Sequence, residues 1–149
     1  MKRVAAAAAA LLCWCACNRR PAIESCRDSL AGVWRSDAGE TWMIREPADR
    51  TRPLEIYPLF KDLPDAQAEI EMAPRLIELS RSSAGIAGHV RRRYMHHGVS
   101  CTAAVSAAIV RCAGNELDVE LAEPVAPTSF APCTWPGMPS IRRERWRRD

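Results

Sequence analysis

Residues 116–121 read ELDVEL, with Leu117, Val119 and Leu121 alternating against Glu116, Asp118 and Glu120. Successive side chains of an extended chain point to opposite faces, so this stretch has one apolar and one acidic face. It is the clearest half-buried strand in the chain. Ala113-Gly114-Asn115, a turn signal, precedes it directly. A strand of this kind needs antiparallel neighbours, and the flanking sequence supplies them.

On the N-terminal side, Ala104 to Cys112 contains Val105, Ile109 and Val110 and ends at that turn, which favours strand over helix. Ile86 to Met95 reads as a returning strand after the turn Ser82 to Gly85, with Gly88 marking a bend or bulge. Leu76 to Ser80, Leu54 to Tyr57, Glu40 to Glu46 and Gly32 to Ser36 complete the upstream set. Residues 59–74 differ: Asp65 to Met72 favours helix between Pro64 and Pro74, so a short helix or a lid-like loop is expected there. Downstream, residues 123–139 hold five prolines and Cys133 and read as a long tied-down loop. Ile141 to Arg147 is the last strand. The expectation is an all-β fold, a small antiparallel barrel of about eight strands, because closure removes the exposed edges that invite aggregation.

The N-terminus has a different character. Met1-Lys2-Arg3 is basic, Val4 to Ala16 is uncharged and rich in Ala and Leu, and Asn18-Arg19-Arg20-Pro21 ends the run. A basic start, a short apolar core and small residues at its end form a secretory signal. The run is shorter than the roughly 20 apolar residues of a membrane span. The reading is a cleaved signal helix over 1–16, a lipid-anchored tether over 17–29 and a β-barrel domain over 30–149. The end of the apolar run resembles the lipobox of bacterial lipoproteins. Cys17 follows the small Ala16 and would carry the lipid, with palmitate as a fitting label; Trp14 stands where that family usually has Leu. A plain signal peptidase cutting after Cys17, at Cys15-Ala16-Cys17, is the alternative and would give a secreted or periplasmic soluble protein. Asn18 is not the Asp that retains enterobacterial lipoproteins at the inner membrane, so the resemblance implies an outer-membrane lipoprotein facing the periplasm.

Removing sixteen of the 149 residues leaves 133, one domain's worth. Lys2 and Arg3 leave with the signal, so 21 basic residues become nineteen against eighteen acidic ones. A nearly neutral chain does not look like a nucleic-acid binder. Cys13 and Cys15 also leave with the signal. Cys26, Cys101, Cys112 and Cys133 remain, an even number that in an exported chain reads as two disulfides, with three pairings open.

Leu30-Ala31-Gly32-Val33-Trp34 resembles the Gly-x-Trp opening of lipocalins and related small barrels. The same opening occurs in other exported β-barrel domains, including small periplasmic inhibitors of metalloproteases. The resemblance implies that Trp34 plugs one end of the barrel beneath an arginine of the last strand, with Arg143 or Arg145 as the cover. A guanidinium over an indole face is a favourable contact.

No catalytic constellation is visible. His96 and His97 are adjacent and on a strand would face opposite ways; with His89 they are the only histidines. No Gly-x-Ser-x-Gly occurs, and Gly85-Ile86-Ala87-Gly88 lacks the lysine and helix of a phosphate loop. Arg91-Arg92-Arg93 and Arg142 to Arg148 are read as paired or solvated charge, or as contacts to anionic head groups beside the anchor. No cofactor, metal or enzymatic activity is expected. The functional expectation is a binding module for a small apolar ligand or head group. The alternative is a protein-interaction module, an inhibitor or envelope assembly factor, with no ligand cavity.

Overall fold

The computed structural model describes residue 26 and residues 28–59, 71–72 and 74–149. In chain order the strands are β1 (Gly32–Ser36), β2 (Thr41–Arg45), β3 (Leu54–Pro58), β4 (Glu71–Met72), β5 (Leu76–Ser82), β6 (Gly85–His96), β7 (Val99–Ala113), β8 (Glu116–Ala122), β9 (Ser129–Phe130), β10 (Cys133–Thr134) and β11 (Ile141–Arg148). Eight of them, β1, β2, β3, β5, β6, β7, β8 and β11, pair antiparallel in sequence order, and β11 returns to β1. The all-β expectation therefore holds as a closed eight-stranded barrel. β4 pairs with the far end of β6, Glu71 opposite Met95 and Met72 opposite Tyr94. β9 and β10 form a small separate hairpin.

The signal, Cys17 and most of the tether lie outside the described residues, as do residues 60–70 of the stretch read as helix or lid. Glu71–Met72, placed at the end of that helix, is strand instead. Backbone pairing to β6 outweighs local helix preference there. β7 begins five residues earlier than Ala104, at Val99, because the turn His97-Gly98 (φ 48° and 79°) reverses the chain tightly enough for pairing to start at once.

Two local features set which side chains turn inward. On β7 the register slips between Ile109 and Arg111. One extra residue reverses the alternation, so Arg111 faces out opposite Asp118 and Cys112 is buried. At Gly88 a side chain could not fit: a Cβ would lie 2.0 Å from the Glu78 carbonyl oxygen. The β5–β6 register runs unbroken through this point, so Gly88 marks a close approach of two strands and not a bulge.

The barrel has two different ends. One, the tether end, carries residues 28–31, the turns 46–53, 83–84 and 114–115, and the end of β11. The other, the loop end, carries residues 37–40, 97–98 and the long connection 123–140. Between them the interior is apolar. Trp34, Trp42, Ile56, Ile77, Leu79, Leu117, Val119 and Trp146 each have 0% of their surface exposed. Zero exposure means that no water-sized void touches these side chains, the close packing of an ordinary core.

Candidate functional site at the two ends of the barrel

The tether end is closed by a plug. The Trp34 indole nitrogen donates to the Leu30 carbonyl at 2.9 Å, which folds the entry segment under the barrel. The Arg148 guanidinium lies 4.7 Å from the Trp34 ring and donates to the Ser29 carbonyl at 2.6 Å. Glu46 completes the clamp: its carboxylate accepts from the Leu30 amide at 2.9 Å, the Ser29 hydroxyl at 3.0 Å and Arg81 at 2.9 Å. Arg81 also donates to the Cys26 carbonyl at 2.7 Å. Burial pushes the Glu46 carboxyl up, but the Leu30 amide, the Ser29 hydroxyl and Arg81 outweigh it and hold the group below its ordinary value. The Cys26–Cys112 disulfide ties the same segment to the end of β7.

Trp34 is thus buried at the closed end, but its cover is Arg148 and neither Arg143 nor Arg145. Inward residues of β11 are even-numbered, with Glu144 and Trp146 buried, so Arg143 and Arg145 point out. There they form a cross-strand ladder with β8. Arg143 stands opposite Glu120, Arg145 opposite Asp118 and Arg147 opposite Glu116, and each arginine is ion-paired with the acid facing it. Asp118 is held below its ordinary value chiefly by its hydrogen bond from Arg111, against the opposing push of burial, with Arg145 adding to the effect.

The loop end is finished by charge. Arg75, 7% exposed, lies over the Trp42 ring at 5.0 Å, ion-pairs with Glu40 and donates to Glu123 at 3.3 Å. Arg142 donates to the second oxygen of Glu40 at 3.2 Å and lies 2.6 Å from the buried Glu144. Glu144 in turn accepts from the Trp146 indole at 2.8 Å. Arg92 also turns inward, beside Tyr94. Arg75 and Arg142 are thus ion-paired with Glu40, Glu123 and Glu144 at this end, and the buried Arg75 and Glu144 are tolerated out of water because each faces its opposite. Tyr94 donates to the Pro124 carbonyl at 2.7 Å, and burial is the main reason its phenol is pushed above the ordinary value.

The connection 123–140 is strapped over this layer. Cys133 bonds Cys101 of β7, Trp135 packs against Tyr94 with centroids 6.1 Å apart, and Phe130 against His96 at 5.3 Å. The four cysteines expected to form two bridges do so, as Cys26–Cys112 and Cys101–Cys133.

The histidines are not brought together. His89 is exposed on the outer face of β6, about 23 Å of strand from His96, while His96 and His97 share the hairpin tip. Among the described residues no group of three or more His, Cys, Asp or Glu could hold a metal. Arg91 pairs with Glu78 at 3.2 Å, and Arg93 is exposed.

Fold and ends together define a small, closed, up-and-down β-barrel with a packed interior. That architecture is consistent with the lipocalin-like resemblance. Comparison with known proteins adds no family: no family model, curated protein or solved structure matches the chain. Two disulfides in one small domain point to an oxidising, extracytoplasmic compartment.

Proposed function

We propose that this chain is an exported, lipid-anchored envelope protein whose barrel is a rigid scaffold for binding another protein at its loop end. The filled interior carries the reading. With Trp34, Trp42 and Trp146 at 0% exposure inside the barrel, a small apolar ligand would have to displace core side chains, so the interaction module is favoured over the apolar carrier.

Apolar side chains instead lie outside, on the loop end. Met138 is 97% exposed and Ile141 68%, and Val99, Val125 and Trp135 are exposed on the same end. The entry segment 28–31 leaves from the opposite end. An anchor at Cys17 would hold the tether end toward the bilayer and turn the loop end toward envelope partners. Acylation of Cys17 is tested by palmitate labelling: the label should disappear in Cys17→Ala, and unchanged labelling would move the anchor elsewhere.

The interaction is tested by placing a photocrosslinking residue at position 138 or, as a control, at position 50 on the opposite end. One discrete adduct with an envelope protein is expected from position 138 and none from position 50. It should be lost in Ile141→Asp without a change in melting temperature. Equal adducts from both positions, or none from 138, would overturn the reading.

A further inference from the structure

On the outer wall, β1 stops at Ser36 while β11 continues past it. Between them lies a groove of about 480 Å³ lined by Arg35, Asp37, Arg145, Arg147, Arg148 and Asp149. Its arginines are arranged unlike those on the β8 side. Facing β8, each outward arginine of β11 meets an acid; facing β1, Arg147 meets Arg35 as its direct cross-strand partner. Like charges in that position oppose strand pairing, so the pair is retained against a local cost.

The existing ion pairs leave much of these guanidinium groups unused. Arg145 and Arg147 reach Asp118 and Glu116 through Nε, at 3.4 and 3.1 Å, and Arg35 reaches Asp149 through one terminal nitrogen at 3.1 Å. Among the described residues, the terminal nitrogens of Arg145 and Arg147 donate no hydrogen bond to the protein. The three side chains are 52–70% exposed. Counting side chains, four arginines against Asp37 and Asp149 carry two net positive charges, and one once Glu116, Asp118 and Arg111 behind them are added.

We propose that this groove binds a phosphate group, held between the forks of Arg35 and Arg147 with Arg145 at its side. Guanidinium forks match phosphate oxygens in pairs, and a shared dianion would relieve the repulsion between the two facing arginines. The phosphate could belong to a lipid head group or to a soluble molecule. Arg148 ties the groove to Ser29 at 2.6 Å, and the twelve residues from Ser29 back to Cys17 span at most about 40 Å. A head group is therefore within reach if Cys17 is acylated, a point that rests on the anchor reading; the groove itself does not.

The test is calorimetric titration of the full chain carrying Cys17→Ser, so that no acyl group adds affinity of its own. The probes are inorganic phosphate and dihexanoylphosphatidic acid. Binding of at least one probe is expected, weakened tenfold or more in Arg35→Gln/Arg147→Gln and unchanged in Arg91→Gln/Arg93→Gln. Equal affinity for both probes would assign recognition to the bare phosphate, and binding of the lipid alone to a head group. The double variant should melt no lower than its parent; if it does, Arg145→Gln repeats the comparison with both facing arginines in place. Binding of neither probe, or binding that the groove substitutions leave unchanged, would overturn the proposal.

Discussion

Trp42 and Trp146 stack inside the barrel with centroids 5.2 Å apart and planes 11° from parallel. The pair bridges the two layers of the interior: below it is aliphatic packing, above it the Arg75 and Glu144 contacts. Stacked indoles fill a barrel cross-section with rigid surface, and such pairs add about 0.5–1.5 kcal/mol beyond the area they bury.

Trp146→Ala should therefore be among the most damaging single substitutions. It removes a fully buried ring and the hydrogen bond to Glu144, for a loss of about 3–5 kcal/mol, comparable with the whole stability of a small domain. Trp146→Phe keeps most of the volume and should cost about half as much. Urea unfolding followed by circular dichroism measures both; equal losses would mean that the buried ring volume contributes little and that the indole hydrogen bond to Glu144 carries the effect.

The two arginine faces of β11 should separate cleanly. Arg148→Ala removes a cation over the Trp34 ring and a hydrogen bond to Ser29, for an expected loss of about 1–3 kcal/mol. Arg143→Ala removes a surface ion pair with Glu120 from a side chain 65% exposed, and should fall within about 0.5 kcal/mol of the parent. Thermal melts of the two variants side by side decide it. A larger loss at Arg143 would reverse the assignment of the plug's cover.

This contrast also shows what the sequence makes legible. Alternation alone marks ELDVEL and places Trp146 on an inward face, and from that parity Glu144 and Arg148 follow as inward while Arg143 and Arg145 do not. The resemblance that assigns Trp34 as the plug does not carry that parity with it, and so points to Arg143 and Arg145 on the outward face. The disulfide pairing depends on the slip at Ile109/Arg111, which turns Cys112 inward. No local signal marks it, since Val110 looks like any other strand residue. The loop-end ion network is likewise distributed over Glu40, Arg75, Glu123 and Arg142, four segments that only barrel closure brings together.

The two disulfides should differ in strength. Cys26–Cys112 joins residues 86 apart and Cys101–Cys133 residues 32 apart. A longer closed loop restricts the unfolded chain more, giving about 4.6 against about 3.7 kcal/mol in the chain-entropy account. Cys26→Ala/Cys112→Ala should then unfold at lower urea than Cys101→Ala/Cys133→Ala. The first variant also frees the entry segment beneath Trp34. The second frees the 123–140 connection and should raise proteolytic cleavage there while leaving the barrel folded. Limited proteolysis with mass mapping distinguishes the two.

The clamp at Glu46 predicts a specific acid sensitivity. Its carboxyl is held below the ordinary value in the folded protein, so the native state favours the ionised form. A depressed carboxylate adds stability above its unfolded value, and that contribution is lost as pH falls through the lower, folded one. At pH 7 Glu46→Gln should cost about 1–3 kcal/mol, because Arg81 loses its charged partner near a side chain only 8% exposed. The gap between parent and variant should be constant above about pH 5 and narrow progressively below it. Melting temperatures of both proteins from pH 7 to pH 3 test this; a gap that stays constant down to pH 3 would show that the clamp is held by shape and not by charge.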